Sequence, residues 1–461
     1  NLYGIGEAKG GQKTLAGDRV DEAFLQSHPY LVIDTALFDD DFTDRLLEHL
    51  QHPDGTPVED LDEAVGGLMI KSENWQALNL LQERYREQVK CIYIDPPYNT
   101  GKDGFIYRDD YKSSSWLSMI DQTTQKGEIS LTQDGSLFFS CDENEFLNVG
   151  QLLTECFKKE NHVETITWNK RVPKNDKGIG NIHEYVYLFS KNQQFRLSQD
   201  KKYLMRKDGL DEIYELVQKG KSQNKTISEV QEDLKKFYDK NGFDRGITLY
   251  HELDPNYEIW GKINMSWPNP NSEGPRYEVI NPITKKPTPI PKKGWRWKEE
   301  TFRDAERNGP EYILPDGSLM KGRIWYSTNE NTQPSSITYL REVESFLLRS
   351  ILSLKSDGSL VLESFGLSGT MNYPKPTKLL EFLFYSISDK SGYFMDYFAG
   401  SGTSAHAVLN LNKEDGGNRK YTLVEMGDYF DIVTKPRIQK VAYSSNWKDG
   451  KPQDTDGQSH I

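Results

Sequence analysis

A chain of 461 residues with 36% hydrophobic side chains, 12% aromatics and a mean hydropathy of -0.74 has interior enough for two or three domains. No stretch approaches the roughly 18 apolar residues of a membrane span, and three cysteines without a CxxC pair (Cys91, Cys141, Cys156) exclude a disulfide framework. The expected compartment is the reducing cytoplasm. The net charge of -13 speaks against a nucleic-acid binder until it is divided along the chain. Residues 1–70 hold fifteen Asp/Glu against four Lys/Arg, whereas residues 166–240 hold sixteen Lys/Arg against eleven Asp/Glu. The basic middle suits a polyanion, and the acidic front suits solvent or a protein partner. The sequence starts at Asn1, as a trimmed or processed piece of a longer protein would.

In chain order, residues 1–60 form an acidic, turn-rich region ending in the loop signal "HPDGTPVED". Residues 61–165 alternate: "GLMIK" predicts a strand, "NWQALNLLQERYREQ" an amphipathic helix, "VKCIYID" a buried strand and "GSLFFSCD" another after a helical stretch. Residues 166–365 lose this rhythm, mixing "NPITKKPTPIPKKGWRWKEETF" with isolated helical runs such as "ISEVQEDLKKFYDK", as an inserted module would. Over residues 366–461 the rhythm returns, with "TKLLEFLFYSIS" as helix, "GYFMDYF" as strand, "SGTSAHAVLNLN" as helix and "KYTLVEM" as strand. Alternating strands and helices predict an α/β fold with a parallel sheet covered on both faces.

Two stretches carry chemistry. In "MDYFAGSGTSAHA", residues 395–407, a strand runs into Gly400-Ser401-Gly402, where the missing Cβ lets a turn tighten and a ligand approach the backbone. Glu425 lies 23 residues beyond Gly402, near where a ribose-binding carboxylate is expected. Taken alone the motif fits NAD or FAD, S-adenosylmethionine, or a purely structural turn. "CIYIDPPYNTGK", residues 91–102, separates these readings. The lone pair of a nucleobase amino group is delocalised into the ring, so it attacks well only when acceptors hold its N–H bonds. Asp95 can accept one, and a carbonyl aimed by the Pro96-Pro97 pair can accept the other. Tyr98 offers a stacking face for a base turned out of the duplex. Cys91, four residues before Asp95, reads as core. The eight histidines show no metal-ligand spacing with the cysteines, so no metal is expected, and they read as surface or ordinary polar residues, with His406 on a helix face.

"DPPYNTG" followed by "FAGSGT" resembles the beta-group amino-methyltransferases of DNA, and specifically the modification (Mod) subunits of type III restriction-modification systems and related phage-defence methyltransferases. The resemblance runs from about residue 30 to the end. "LMIKSENWQALNLLQ", "DDYKSSSWLSMI", "GWRWKEETF", "YPKPTKLLEFL", "DGGNRKYTLVEM" and "KPRIQKVAYSSNWKDGKP" support it in the family's order. It implies a Rossmann-like, S-adenosylmethionine-dependent methyltransferase sheet, with residues 61–165 as the catalytic half, 366–461 as the cofactor half and 166–365 as an inserted α+β target-recognition domain. The implied reaction is methylation of adenine N6 in double-stranded DNA, with cytosine N4 as alternative. A catalytically silent DNA- or nucleotide-binding subunit is the reading from another class. The implied partners are DNA, a Res-like restriction or defence subunit, and a second copy of the chain; no membrane is involved.

Residue by residue, the resemblance makes Asp95, Pro96, Pro97 and Tyr98 the target-base pocket, with Asp95 and the Pro96 carbonyl on the amino group. Asp396, Phe398, Ala399, Gly400, Ser401, Gly402 and Thr403 would hold the methionine part of the cofactor and Glu425 its ribose. Lys375, Pro376 and Thr377 would close over it, and Asn74 would approach its adenine. Ser72-Glu73-Asn74 departs from the Gly-Asp-Asn more common there, and family members continue past the "SHI" that ends this sequence. "NKRVPKNDKG" and "KKYLMRK" could pair with phosphates. In "GWRWKE", Trp295, Arg296, Trp297 and Lys298 fit either an aromatic-cation surface or a packed helix start.

Overall fold

The runs "VKCIYI" and "SLFFSC" are largely apolar and almost entirely buried, as central strands of a covered parallel sheet are. The computed structural model, which describes residues 22–51, 55–100, 111–170, 180–207, 209–243, 245–369 and 371–454, gathers them into one sheet. Among the described residues this sheet has eight strands: β1 (Gly67–Lys71), β2 (Val89–Ile94), β3 (Leu131–Cys141), β4 (His162–Asn169), β5 (His183–Ser190), β6 (Ile351–Ser353), β7 (Ser391–Asp396) and β8 (Asn418–Glu425). Their order is β1-β8-β7-β2-β3-β5-β4-β6. All pair in parallel except β5, which runs antiparallel to β3 and β4.

Among the described residues, the helices flanking the sheet include α1 (Asn74–Tyr85), α2 (Ser113–Ser130), α3 (Phe146–Phe157), α4 (Thr377–Ser386), α5 (Thr403–Asp415) and α6 (Lys435–Tyr443). The period of two in β2 sorts its side chains between two faces. Ile92 and Ile94 join Ala77, Trp116 and Val149 of α1, α2 and α3 in one core. Tyr93 meets Phe384 of α4 edge-on at 6.2 Å on the other. Cys91 is fully buried, as its place in the strand predicts.

The chain divides into two compact units, residues 1–205 with 347–461, and residues 206–346. The inserted unit is therefore narrower than the 166–365 expected. β4, β5 and β6 lie in those margins and belong to the main sheet. The insertion is built on an antiparallel sheet of six strands, in the order Tyr250–Leu253, Ile259–Asn264, Ser335–Tyr339, Ile324–Tyr326, Leu319–Lys321 and Glu311–Ile313. Helices Leu210–Ser222 and Ile227–Asn241 share a core through Ile213, Val217, Val230 and Leu234. Thr226 and Glu229 close a capping box at the second helix. Trp295 is fully buried, donating to the Tyr277 carbonyl at 2.9 Å, and Trp297 packs beside it. The packed helix start, and not an aromatic surface, accounts for "GWRWKE", leaving Arg296 and Lys298 exposed. Of "NKRVPKNDKG", residues beyond Lys170 lie outside the described residues, as do residues 1–21 of the acidic front.

Candidate active site

From β2 the chain moves outward to β3, and from β7 it moves the opposite way to β8. The carboxyl ends of β2 and β7 therefore flank the point where strand order reverses, the position at which open α/β sheets bind ligands. Asp95 follows the last residue of β2, and Asp396 is the last residue of β7. Between them opens a cavity of about 560 Å³.

The segment after β2 is held rigidly. Fully buried Trp116 of α2 donates its indole N–H to the Pro97 carbonyl at 2.8 Å. Asn99, at φ 56°, reaches Glu145 at 2.8 Å. Among the described residues no donor bonds the Pro96 carbonyl. The Asp95 carboxylate lies 2.9 Å from the Lys375 ammonium. Burial raises its pKa above the ordinary carboxylate value against the pull of Lys375. Lys375 also lies 3.2 Å from Glu184 and sits over the Tyr98 ring, 4.7 Å from its centroid. Tyr98 donates to Glu184 at 3.1 Å, and Lys170 donates to the same carboxylate at 2.7 Å. Burial would lift the Glu184 pKa, but the two lysines outweigh it and bring it down to about 2. Burial likewise opposes the Lys375 charge, yet Asp95 and Glu184 raise its pKa well above the ordinary value, so it remains an ammonium.

The loop after β7 is shaped by Gly400 at φ 52° and Gly402 at φ 77°, the latter capping α5. Glu425, at the end of neighbouring β8, accepts N–H bonds from Gly400 (2.8 Å), Met426 (2.8 Å) and Gly427 (2.9 Å). Its carboxylate organises the loop and keeps one of about four acceptor positions free toward the cavity. Asp396 accepts from Phe398 N–H at 2.9 Å and from the Ser404 hydroxyl. Burial overrides these bonds and pushes its pKa up to about 7. Behind the loop, fully buried Arg437 of α6 donates to the Ser401 hydroxyl (2.9 Å), the Thr403 hydroxyl (2.8 Å) and the Thr377 hydroxyl (3.0 Å).

Of the predicted residues, the cavity wall includes Asn74, Asp95, Pro97, Lys375, Asp396, Phe398, Ala399, Gly400, Ser401, Thr403 and Glu425. Pro96, Tyr98, Gly402, Pro376 and Thr377 stand behind or beside it. Ser72 and Glu73 reach the wall despite departing from the usual pattern, and Glu73 caps α1 by accepting from Gln76 N–H at 2.9 Å. Lys375 differs most from expectation: its ammonium points to the Asp95 end of the cavity. His406 also differs, being buried on α5 with its Nδ1 3.1 Å from Arg437 Nη2. Burial and that guanidinium drive its pKa well below the ordinary value.

Residues 89–435 match the family described as DNA methylase. The chain belongs to that family. Among curated members, the type III restriction-modification enzyme EcoP15I Mod subunit of Escherichia coli is 29% identical over 417 residues, covering 82% of this chain and 61% of that protein. The StyLTI Mod subunit of Salmonella typhimurium is 25% identical, covering 81% and 57%. The type II methyltransferase M.KpnI of Klebsiella pneumoniae is 27% identical, covering 84% and 85%. The chain thus spans about 60% of the length of the Mod subunits it matches first. For this DNA methylase the sequence reading missed Glu184, Lys170, Trp116 and Arg437 as components of the site. Trp116 lies in the supporting motif "DDYKSSSWLSMI", Arg437 in "KPRIQKVAYSSNWKDGKP" and Lys170 in "NKRVPKNDKG", read there as a phosphate contact; Glu184 alone offered no signal.

Proposed function

We propose that this chain transfers a methyl group from S-adenosylmethionine to the N6 amino group of an adenine flipped out of double-stranded DNA. The observation that carries the reading is one cavity shared by the Asp95-Pro96-Pro97 turn and the Gly400–Gly402 loop at the reversal of strand order. The wall fits the cofactor chemically. Glu73, Asp95, Asp396 and Glu425 face Lys375 alone among cationic side chains of the described wall, a balance suited to a ligand carrying sulfonium and ammonium charge. When bound, the cofactor supplies an electrophilic methyl on sulfur.

The chain's own residues do the rest. Asp396 and the Gly400–Thr403 loop hold the amino-acid end, Glu425 takes a ribose hydroxyl on its remaining acceptor position, and Asn74 borders the base. Asp95 and the Pro96 carbonyl accept the two N–H bonds of the target amine, directing its lone pair at the methyl. Trp116 fixes the turn that aims that carbonyl. As the N–C bond forms and the methyl–sulfur bond breaks, its electron pair staying on sulfur, positive charge grows on nitrogen beside the Asp95 carboxylate, which stabilises it and takes the departing proton. Its raised pKa suits that acceptance.

Residues 206–346 serve as the target-recognition unit in this reading. A Res-like subunit and a second copy of this chain are its proposed partners, and the cytoplasm its proposed compartment. Among the described residues no helix is long and apolar enough to cross a membrane. The test is methyl transfer from labelled S-adenosylmethionine to mixed-sequence duplex DNA with identification of the product nucleoside. N6-methyladenine establishes the reaction, N4-methylcytosine shifts it to the other base, and no labelled nucleoside despite cofactor binding rejects the activity for this chain.

A further inference from the structure

Glu184 is the residue of the site that the proposed chemistry does not use. It lies on β5, the antiparallel strand, and all of its contacts are with the target-base end of the cavity. One oxygen accepts Lys170 at 2.7 Å; the other accepts Tyr98 at 3.1 Å and faces Lys375 at 3.2 Å. Lys375 simultaneously stands 2.9 Å from Asp95 and 4.7 Å from the Tyr98 ring centroid. An incoming base needs those same two surfaces, the Asp95 oxygen for its amino group and the Tyr98 face for its ring. The ammonium and the base cannot both hold them.

A buried ammonium displaced from one carboxylate needs another, since an unpaired charge in the interior is strongly disfavoured. Glu184 is already within reach at 3.2 Å, and Lys170 pairs with its other oxygen at 2.7 Å. We propose that Lys375 is a gate on the target-base pocket: it rests on Asp95 and Tyr98 until a base is inserted and then transfers to Glu184. Glu184 is then a positioning residue that never touches the base. This inference rests on the methyltransferase reading above.

The test begins by mapping the methylated position on plasmid DNA by sequencing; failure here rejects the methyltransferase reading and not the gate. With the site known, 2-aminopurine replaces the target adenine in a duplex, and its fluorescence reports the flipped population with product S-adenosylhomocysteine at saturation. Glu184→Gln, which deprives Lys375 of its second carboxylate, should lower the flipped population about tenfold or more at unchanged cofactor affinity. Lys375→Met, which keeps the stem and removes the charge, should raise it. In the double variant the Lys375→Met behaviour should prevail, because without an ammonium there is nothing for Glu184 to receive. A Glu184→Gln deficit that persists in the double variant would overturn the gate, as would a Lys375→Met variant that flips no more than wild type. Thermal unfolding of each variant accompanies the comparison. Should Glu184→Gln fail to fold, Lys375→Met alone decides by the same criterion.

Discussion

Asp95→Ala tests the centre of the mechanism, and the structure sets the scale of each consequence. The carboxylate has two functions, accepting an N–H bond and facing the charge that develops on nitrogen. At contact distance of about 4 Å and an effective dielectric of about 20, one unit charge is worth about 4 kcal/mol. Removing a preorganised hydrogen-bonding group from a developing charge costs about 10²- to 10³-fold in rate elsewhere. A loss of about 10³-fold in kcat is therefore expected for Ala. Asn, which retains an acceptor oxygen without the charge, should fall between Ala and wild type. Stability should suffer less than the roughly 3–5 kcal/mol of a broken isolated buried pair, because Lys375 keeps Glu184 at 3.2 Å. Cofactor affinity should change little, since the Gly400–Gly402 loop is held by Glu425 and Arg437. Single-turnover methyl transfer, calorimetric cofactor titration and thermal unfolding measure the three quantities separately. Transfer within tenfold of wild type in Asp95→Ala would refute the assignment, and so would a fall in cofactor affinity that parallels the fall in rate.

Three further outcomes are expected. Trp116→Phe strands the Pro97 carbonyl without its 2.8 Å donor, so urea denaturation should show a loss of about 1–3 kcal/mol, with kcat reduced and cofactor affinity retained. Gly402→Ala places a Cβ at φ 77° and 3.2 Å from Thr434 Cγ2; strain of about 1–3 kcal/mol should weaken cofactor binding by about tenfold or more in calorimetry. Asp396 has a folded pKa of about 7 against an ordinary 3.8, so between these values the folded chain keeps a proton that the unfolded chain has lost. Its burial thus costs stability increasingly as pH rises through that window. A cationic ligand prefers the ionised form, so cofactor Kd should fall as pH rises toward about 7, by up to about tenfold per unit. Asp396→Asn should flatten that slope relative to wild type titrated with the same ligand.

The strands at the cavity were legible because they are short, largely apolar runs bounded by turn and helix signals. "GLMIK" is β1 residue for residue, and "VKCIYID" overshoots β2 by one residue. The two motifs also stand where the sequence suggests, at adjacent strand ends. The margins of the insertion were not legible, for a topological reason. β4 and β5 pair antiparallel, so the parallel strand-helix rhythm stops at residue 166 while the sheet continues. β4 alternates in burial instead of running uniformly apolar, which further hides it. Glu184 and Lys170 look like ordinary polar positions until pairing of β4 with β5 brings them together. Arg437 and His406 lie 31 residues apart, and neither side chain signals burial without the other.

These charges also explain how Asp95 can serve as acceptor inside so acidic a wall. Burial raises the cost of ionising Asp95, and the neighbouring Glu184 carboxylate raises it again. Lys375 counters both by supplying a cation at 2.9 Å. If Lys375 moves to Glu184 when a base is inserted, Asp95 loses that cation just as an amino group arrives whose nitrogen becomes positive during transfer. One cation thereby replaces another at the same carboxylate, and the buried charge stays nearly balanced through the reaction. Glu184 can receive Lys375 without becoming a base itself, because Lys375 and Lys170 together bring its pKa down to about 2. The arrangement requires two lysines and two carboxylates in alternation, and Asp95, Lys375, Glu184 and Lys170 follow one another in that order.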